Sequence, residues 1–309
     1  MKTIPIRDVS LFVKVMGQGD PLLLMHGGPG LDHTTLSALE PLAERFTLIF
    51  YDHRCNGRST GAVESMTWEN LTADAEALRQ TLGYERWAVL GHSFGGMVAL
   101  EYALRYPERV THLVLMDTCG DARWAQQNAP EILRKRGYGA ATVRAARRFY
   151  NGRLKPREVA PTVFRFLGAY FHRIRPRALP EMVRGAFRLR MRPEAHVFGF
   201  RHLQTGWTVM DRLHEIEIPT LVLAGRHDFL FPPEHQAILA DRLPNARLEI
   251  VELSGHNPQD EQPEVVIDLV QRFLTTARRI AAPPAPERVQ VPEFGPREFR
   301  RAAVGALAE

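Results

Sequence analysis

Apolar residues along this chain fall into short runs set off by glycine, proline and charge. Residues 21 to 25 read Pro21-Leu22-Leu23-Leu24-Met25 and stop at His26-Gly27-Gly28-Pro29-Gly30. A short, wholly apolar run of this kind predicts a strand buried on both faces that ends in a tight loop. Largely apolar runs recur at Phe46 to Tyr51, Trp87 to Leu90, His112 to Met116 and Thr220 to Ala224, and Arg247 to Val251 predicts another strand. Ile4 to Ile6 and Leu11 to Met16 predict two further strands before a turn at Gly17-Gln18-Gly19-Asp20. Between the strands lie helical signals at Thr35 to Glu44, Phe94 to Arg105, Pro233 to Arg242 and Gln262 to Leu274. Thr67 is the predicted N-cap of another helix, which carries Glu69 and Asn70 in its first turn and stops at Gly83. Strand–helix alternation with short apolar strands predicts an α/β fold: a mostly parallel sheet covered by helices on both faces.

The alternation breaks after Asp117. From residue 118 to 210 the pattern turns helical, interrupted by proline and dense in arginine, with Arg134, Arg136, Arg144, Arg147 and Arg148 among many. Because strands resume afterwards, the segment reads as an inserted helical cap. The core would then be residues 1–117 and 211–274. Residues 275–309 form a tail rich in proline and arginine, too polar to build much core, with Phe294 and Phe299 as candidate anchors.

Composition narrows the setting. The chain has 309 residues, 45% of them hydrophobic, enough for one large domain with an insertion. Its N-terminus lacks the apolar run and cleavage site of a signal peptide, and no apolar stretch is long enough to span a bilayer. These features predict a soluble, cytoplasmic protein without a membrane partner. Cys55 and Cys119 lack metal-ligand spacing and fit free thiols in a reducing compartment. The net charge of +5 invites a nucleic-acid partner, but no finger, RRM-like or helix-turn-helix signal accompanies it, so none is expected.

The chemistry concentrates at loops that follow strands. Gly91-His92-Ser93-Phe94-Gly95-Gly96 stands between an apolar strand and a helix and fits G-x-S-x-G. Such a turn presents Ser93 at a helix N-terminus, where free amides favour developing negative charge. A serine hydroxyl needs a base. His256, just beyond the last strand, is the leading candidate over His26, His92, His227 and His235. Asp228, in Gly225-Arg226-His227-Asp228 after the preceding strand, is the expected carboxylate partner, and Asp117 is the runner-up. The amide of Phe94 and an amide from the first glycine loop would form the oxyanion hole. Gly28 is chosen there because no side chain obstructs the approach of a carbonyl. Gly27, Pro29 and Gly30 would shape this loop, and His26 would hydrogen-bond within it. No metal or organic cofactor is required, and the glycines lack the G-x-G-x-x-G spacing of a dinucleotide site.

Together with Asp52-His53-Arg54, Gly57-Arg58-Ser59 and Gly255-His256, these motifs resemble the α/β-hydrolase superfamily. His-Gly-Gly-Pro-Gly resembles its prolyl iminopeptidase branch in particular. The resemblance runs from about Ile4 to Leu274. It implies an α/β-hydrolase fold, a Ser-Asp-His order of the triad, and hydrolysis of an N-terminal proline or small apolar residue. That branch grips the substrate ammonium with acidic residues beside the triad acid and late in the cap. Here Phe229 follows Asp228, Val197 to Phe200 is apolar with only Glu194 nearby, and Cys55 replaces a usual glycine. An ammonium leaving water needs a carboxylate. The residues therefore favour a serine hydrolase acting on a small ester or lactone. Release of N-terminal proline is the alternative, and a non-catalytic interaction protein is a third reading that separated triad side chains would favour.

Overall fold

The computed structural model describes residues 2–173 and 188–276. Residues 174–187 of the insertion, and the tail with Phe294 and Phe299, lie outside the described residues. Eight strands form one sheet: β1 (Lys2–Ile6), β2 (Val9–Met16), β3 (Asp20–Met25), β4 (Phe46–Tyr51), β5 (Trp87–His92), β6 (Val110–Met116), β7 (Thr220–Gly225) and β8 (Ala246–Val251). Their order is β1-β2-β4-β3-β5-β6-β7-β8. The pairings β1–β2 and β2–β4 are antiparallel and the rest are parallel, as the apolar runs predict.

Alternate residues of the central strands pack to opposite sides. Leu23, Met25, Val89, Leu113 and Leu115 join one core, while Leu22, Leu24, Leu90, Val114 and Met116 join the other. Each side has its own cover. Leu71, Ala75 and Leu78 of helix α1 (Trp68–Thr81), with Met97 and Val98 of α2 (Phe94–Arg105), close the first core. Leu36, Leu39 and Leu42, with Val266, Val270 and Phe273 of the last helix (Pro263–Thr276), close the second. A strand buried on both faces has no polar side to show, which is why β3, β5 and β6 read as unbroken apolar runs.

Local signals act where expected. The Thr67 hydroxyl accepts the Asn70 amide and caps α1, and Gly83 follows with φ +77°. The predicted helix at Thr35 to Glu44 is instead a run of 3-10 turns over His33–Glu44, capped by Asp32, whose carboxylate accepts the Thr34 amide. Pro41 inside it lacks the N–H that an α-helical ladder would need there.

Between β6 and β7 the described residues form α3 (Arg123–Lys135), α4 (Ala140–Tyr150), α5 (Val159–Phe164) and α6 (Pro193–Phe198), the last running into a π turn at Gly199–Leu203. The two ends of this segment are fastened side by side. Asp121 and Thr208 form an antiparallel bridge, the Ala122 amide donates to the Trp207 carbonyl, and the Val209 amide donates to that of Gly120. A long excursion thus leaves and re-enters the sheet at one neck. Among the described residues no helix is long and apolar enough to cross a membrane.

Candidate active site

The parallel strands all point one way, so the loops after β3, β5, β6, β7 and β8 gather at one edge of the sheet. Ligands bind outside the carboxyl ends of strands in such folds. Ser93 follows β5 with φ +53° and ψ −120°, a backbone conformation costly for a residue with a Cβ. Sterics explain the glycines around it. A Cβ on Gly91 would strike the Gly95 carbonyl, one on Gly95 the Met25 carbonyl, and one on Gly96 the Thr118 side chain. The elbow therefore packs its backbone directly against neighbouring backbone. The Ser93 carbonyl accepts from the amides of Gly96 and Met97 and from the Thr118 hydroxyl.

Three side chains chosen in sequence from separate loops meet here. His256 Nε2 lies 3.0 Å from Ser93 Oγ, and His256 Nδ1 lies 2.9 Å from Asp228 Oδ2. With Asp228 ionised, Nδ1 carries the proton and donates it to the carboxylate. Nε2 is then free to accept from the serine hydroxyl. Asp228 is buried, and burial alone would raise its pKa. The electrostatic interaction and hydrogen bond with His256, with the Leu230 amide donating to Oδ1, outweigh that and hold the carboxyl below its usual range.

Asp117, the other candidate acid, lies beside this chain. Its Oδ1 accepts the Gly225 amide at 2.8 Å, and its carboxylate groups with the Asp228 carboxylate and the His256 imidazole, one ligand atom of each lying within 4.8 Å of the others. Full burial and the Asp228 charge push its pKa well above the ordinary carboxylate value. Two carboxylates this close cannot both ionise in a dry site. The pair divides, with Asp228 ionised and Asp117 protonated. The folded protein thus keeps a proton that the unfolded chain releases above about pH 4, so Asp117 opposes folding increasingly as pH rises. Asparagine needs no proton and tolerates the φ of +42° found there. Asp117→Asn is expected to keep turnover within about threefold and to raise Tm by a few degrees at pH 8 relative to wild type, an advantage that shrinks toward pH 4. Thermal melts and steady-state rates check this. A hundredfold loss of turnover would transfer the acid role to Asp117.

The His26–Gly30 loop, after β3, forms the opposite lip. Gly28 has φ +57°, and a Cβ there would collide with the Leu31 side chain. Its glycine is thus demanded by the backbone itself. Gly28 and Phe94 both line the cavity that contains Ser93. His26 Nε2 accepts the His53 amide at 3.1 Å, so Nδ1 carries the proton and donates to the Gly27 carbonyl. Burial lowers its pKa and keeps the ring neutral. The loop is also tied to the inserted segment. The Gly30 carbonyl accepts the Arg192 amide, and the Pro29 carbonyl accepts His196 Nδ1 at 3.1 Å.

Other parts of the motifs brace these loops. Asp52 accepts the His33 amide and ring and the Arg58 amide, and Asp32 accepts the Arg58 guanidinium and the Arg190 amide. This second His/Asp group has its oxygens committed to donors and serves as a clamp. Arg54 is fully buried, paired with Asp74 and Asp8. Cys55 has φ +64°, which accounts for the glycine usual there, and its thiol donates to the Ala62 carbonyl.

Some supporting residues escape sequence reasoning. His92 points away from the elbow tip and donates from Nε2 to the His256 carbonyl at 2.8 Å. Burial and His256 push its pKa down to about 3, so it stays a neutral donor. The His256 amide donates to the Tyr170 carbonyl, and Glu261 accepts the amides of Gly255, His172 and Arg173. Glu261 is five residues beyond His256 with only a short helix between, and no spacing rule marks it. His227 stacks on His172 and His235 contacts Asn128, both apart from Ser93 Oγ.

A sequence profile described as the alpha/beta hydrolase fold matches residues 20–263. The chain belongs to the α/β-hydrolase fold family. Within that family it resembles proline iminopeptidases: one from Clostridioides difficile (strain 630) is 28% identical over 287 residues, 88% of this chain and 96% of that protein. The crystal structure of proline iminopeptidase from Mycobacterium smegmatis superposes with TM-score 0.72 at 26% identity, covering 91% of this chain and 99% of that one. A thermophilic esterase from Thermogutta terrifontis gives TM-score 0.68 at 26% identity over 89% and 99%. The α/β-hydrolase frame is thus shared with both peptidases and esterases, and the walls of the site must separate them. Phe229, where the iminopeptidase resemblance implies an acid, is fully buried among the rings of Tyr150, Phe166 and Tyr170. Glu194 is exposed at the start of α6.

Proposed function

We propose that this hydrolase cleaves a small, neutral ester or lactone through an acyl-enzyme on Ser93. The observation that carries the reading is the Ser93–His256–Asp228 hydrogen-bond chain at the wall of a mostly apolar cavity of about 1630 Å³. In the first half-reaction His256 Nε2 takes the Ser93 proton as Oγ attacks the carbonyl. The amides of Gly28 and Phe94 hold the resulting oxyanion. Protonated His256, steadied by Asp228, gives its proton to the departing alcohol oxygen, and the acyl–oxygen bond breaks. In the second half His256 takes a proton from water, whose oxygen attacks the acyl-enzyme. The acid leaves and Ser93 recovers its proton. In the same reading, the described part of the insertion acts as a lid, since Phe149, Tyr150, Tyr170, His196 and Phe200 supply cavity wall.

The peptidase alternative retains one favourable feature. Asp260 and Glu264 line the outer cavity and could meet a substrate ammonium. Paired turnover of prolyl-naphthylamide and a short-chain aryl ester at neutral pH decides between the two. The expected outcome is ester cleavage at least about a hundredfold faster in kcat/KM, because a buried ammonium without a close carboxylate costs several kcal/mol. Fast amide cleavage that disappears when the amino group is blocked would overturn the ester reading.

A further inference from the structure

The aromatic wall carries a pair of facing hydroxyls. Tyr150, at the end of α4, and Tyr170 line the same cavity as Ser93, and their hydroxyl oxygens lie 2.7 Å apart. Both rings are held from behind. Tyr170 stacks on Phe166 and meets Phe229 edge-on, while Tyr150 is edge-on to Phe149, Phe200 and Phe229. Tyr150 is 1% exposed. Tyr170 also faces the catalytic machinery, its ring 5.6 Å from that of His256 and its carbonyl accepting the His256 amide.

The two hydroxyls bring two protons, and their mutual hydrogen bond uses one. Neither oxygen has a further hydrogen-bond partner among the described residues. One O–H donor therefore meets no acceptor among the described residues of a mostly apolar cavity wall. Burial pushes both phenols further above their ordinary pKa, so both stay protonated donors across the physiological range. A buried donor without an acceptor is costly, and a ligand oxygen that satisfies it is favoured over a methylene in the same place.

Building on the esterase reading above, we infer that the Tyr150–Tyr170 hydroxyl pair is a specificity subsite. It would recognise a neutral acceptor oxygen, such as a ketone or ether, in the substrate portion lying against the aromatic wall. The pair acts as a relay, one hydroxyl donating to the other and the second to the substrate.

The test uses p-nitrophenyl esters of straight-chain acids and their keto analogues, with the ketone stepped along the chain, and a second series with the ketone in the alcohol part. Rates are divided by those of alkaline hydrolysis. Wild type is expected to favour a keto ester over its methylene analogue by about tenfold or more at one position. Tyr150→Phe/Tyr170→Phe should erase that ratio. Each single variant should keep part of it, because the surviving hydroxyl can turn its freed proton to the substrate. Absence of a favoured position in wild type, or an unchanged ratio in the double variant, overturns the inference while leaving ester hydrolysis standing. Calorimetric titration with cyclohexanone gives a readout independent of turnover. About tenfold weaker binding to the double variant supports the subsite even if simple esters prove poor substrates, and equal affinity overturns it.

Discussion

Ser93→Ala is expected to lower kcat by about a million-fold, to the level set by binding and the oxyanion amides alone. The expectation rests on Ser93 Oγ being the group hydrogen-bonded to His256 Nε2 at the cavity wall. A serine-reactive probe should lose its stoichiometric label in the variant, and persistent labelling would remove Ser93 from the reaction. Stability supplies a second readout. With φ +53° and ψ −120°, Ser93 holds a conformation that glycine adopts without strain and alanine does not. Ser93→Gly should therefore be as inactive as Ser93→Ala yet more stable than it by about 1 kcal/mol, roughly 2–3 °C in Tm. Equal melting temperatures would show that the elbow is not strained at this residue. A more stable glycine variant would instead place the nucleophile where function is favoured at the expense of stability, a trade found at many active sites.

Asp228→Asn is expected to lower turnover by two to four orders of magnitude, again roughly and by analogy with triad carboxylate loss. An asparagine amide can donate a hydrogen bond to His256 Nδ1 instead of accepting one. The ring then carries its proton on Nε2 and cannot accept from Ser93. Steady-state rates and the melting curve together make the test, because a folded, slow variant isolates the tautomer effect. Near-wild-type turnover would displace Asp228 from the role. Asp228→Asn and Asp117→Asn form an informative pair. The two carboxyls are neighbours, both buried, and both follow strands. Only the one bonded to His256 should matter strongly to rate.

Much of this protein is legible in one dimension. The apolar runs that became β3 to β7 could be found because burial on both sheet faces leaves few polar positions in them. Thr67 announces a helix start through a hydroxyl acting three residues away. Ser93 is marked by glycines whose missing side chains make room for adjacent backbone. Asp228 and His256 could be proposed from their places after successive strands, since a parallel sheet delivers all such loops to one edge.

Tertiary structure decided what depends on contacts between distant segments. Asp117 and Asp228 both follow strands, and position ranks Asp228 first without setting the protonation of either. Only their packing side by side, with His256 against one of them, splits them into a protonated and an ionised acid. His92 and Glu261 brace the histidine loop through backbone groups, and neither reveals this by residue type. The reading of Gly28 as clearance for a carbonyl was incomplete, because its positive φ is set by the folding of the loop around Leu31. Tyr150 and Tyr170, in the arginine-dense insertion, have no period or motif that pairs their hydroxyls. The physical reason is common to all of these. Periodicity and punctuation report whether a position is buried and where an element ends, which are local properties of the chain. Protonation, hydrogen-bond partnership and the shape of a cavity arise between side chains far apart in sequence, and exist only once the sheet and its insertion have brought them together.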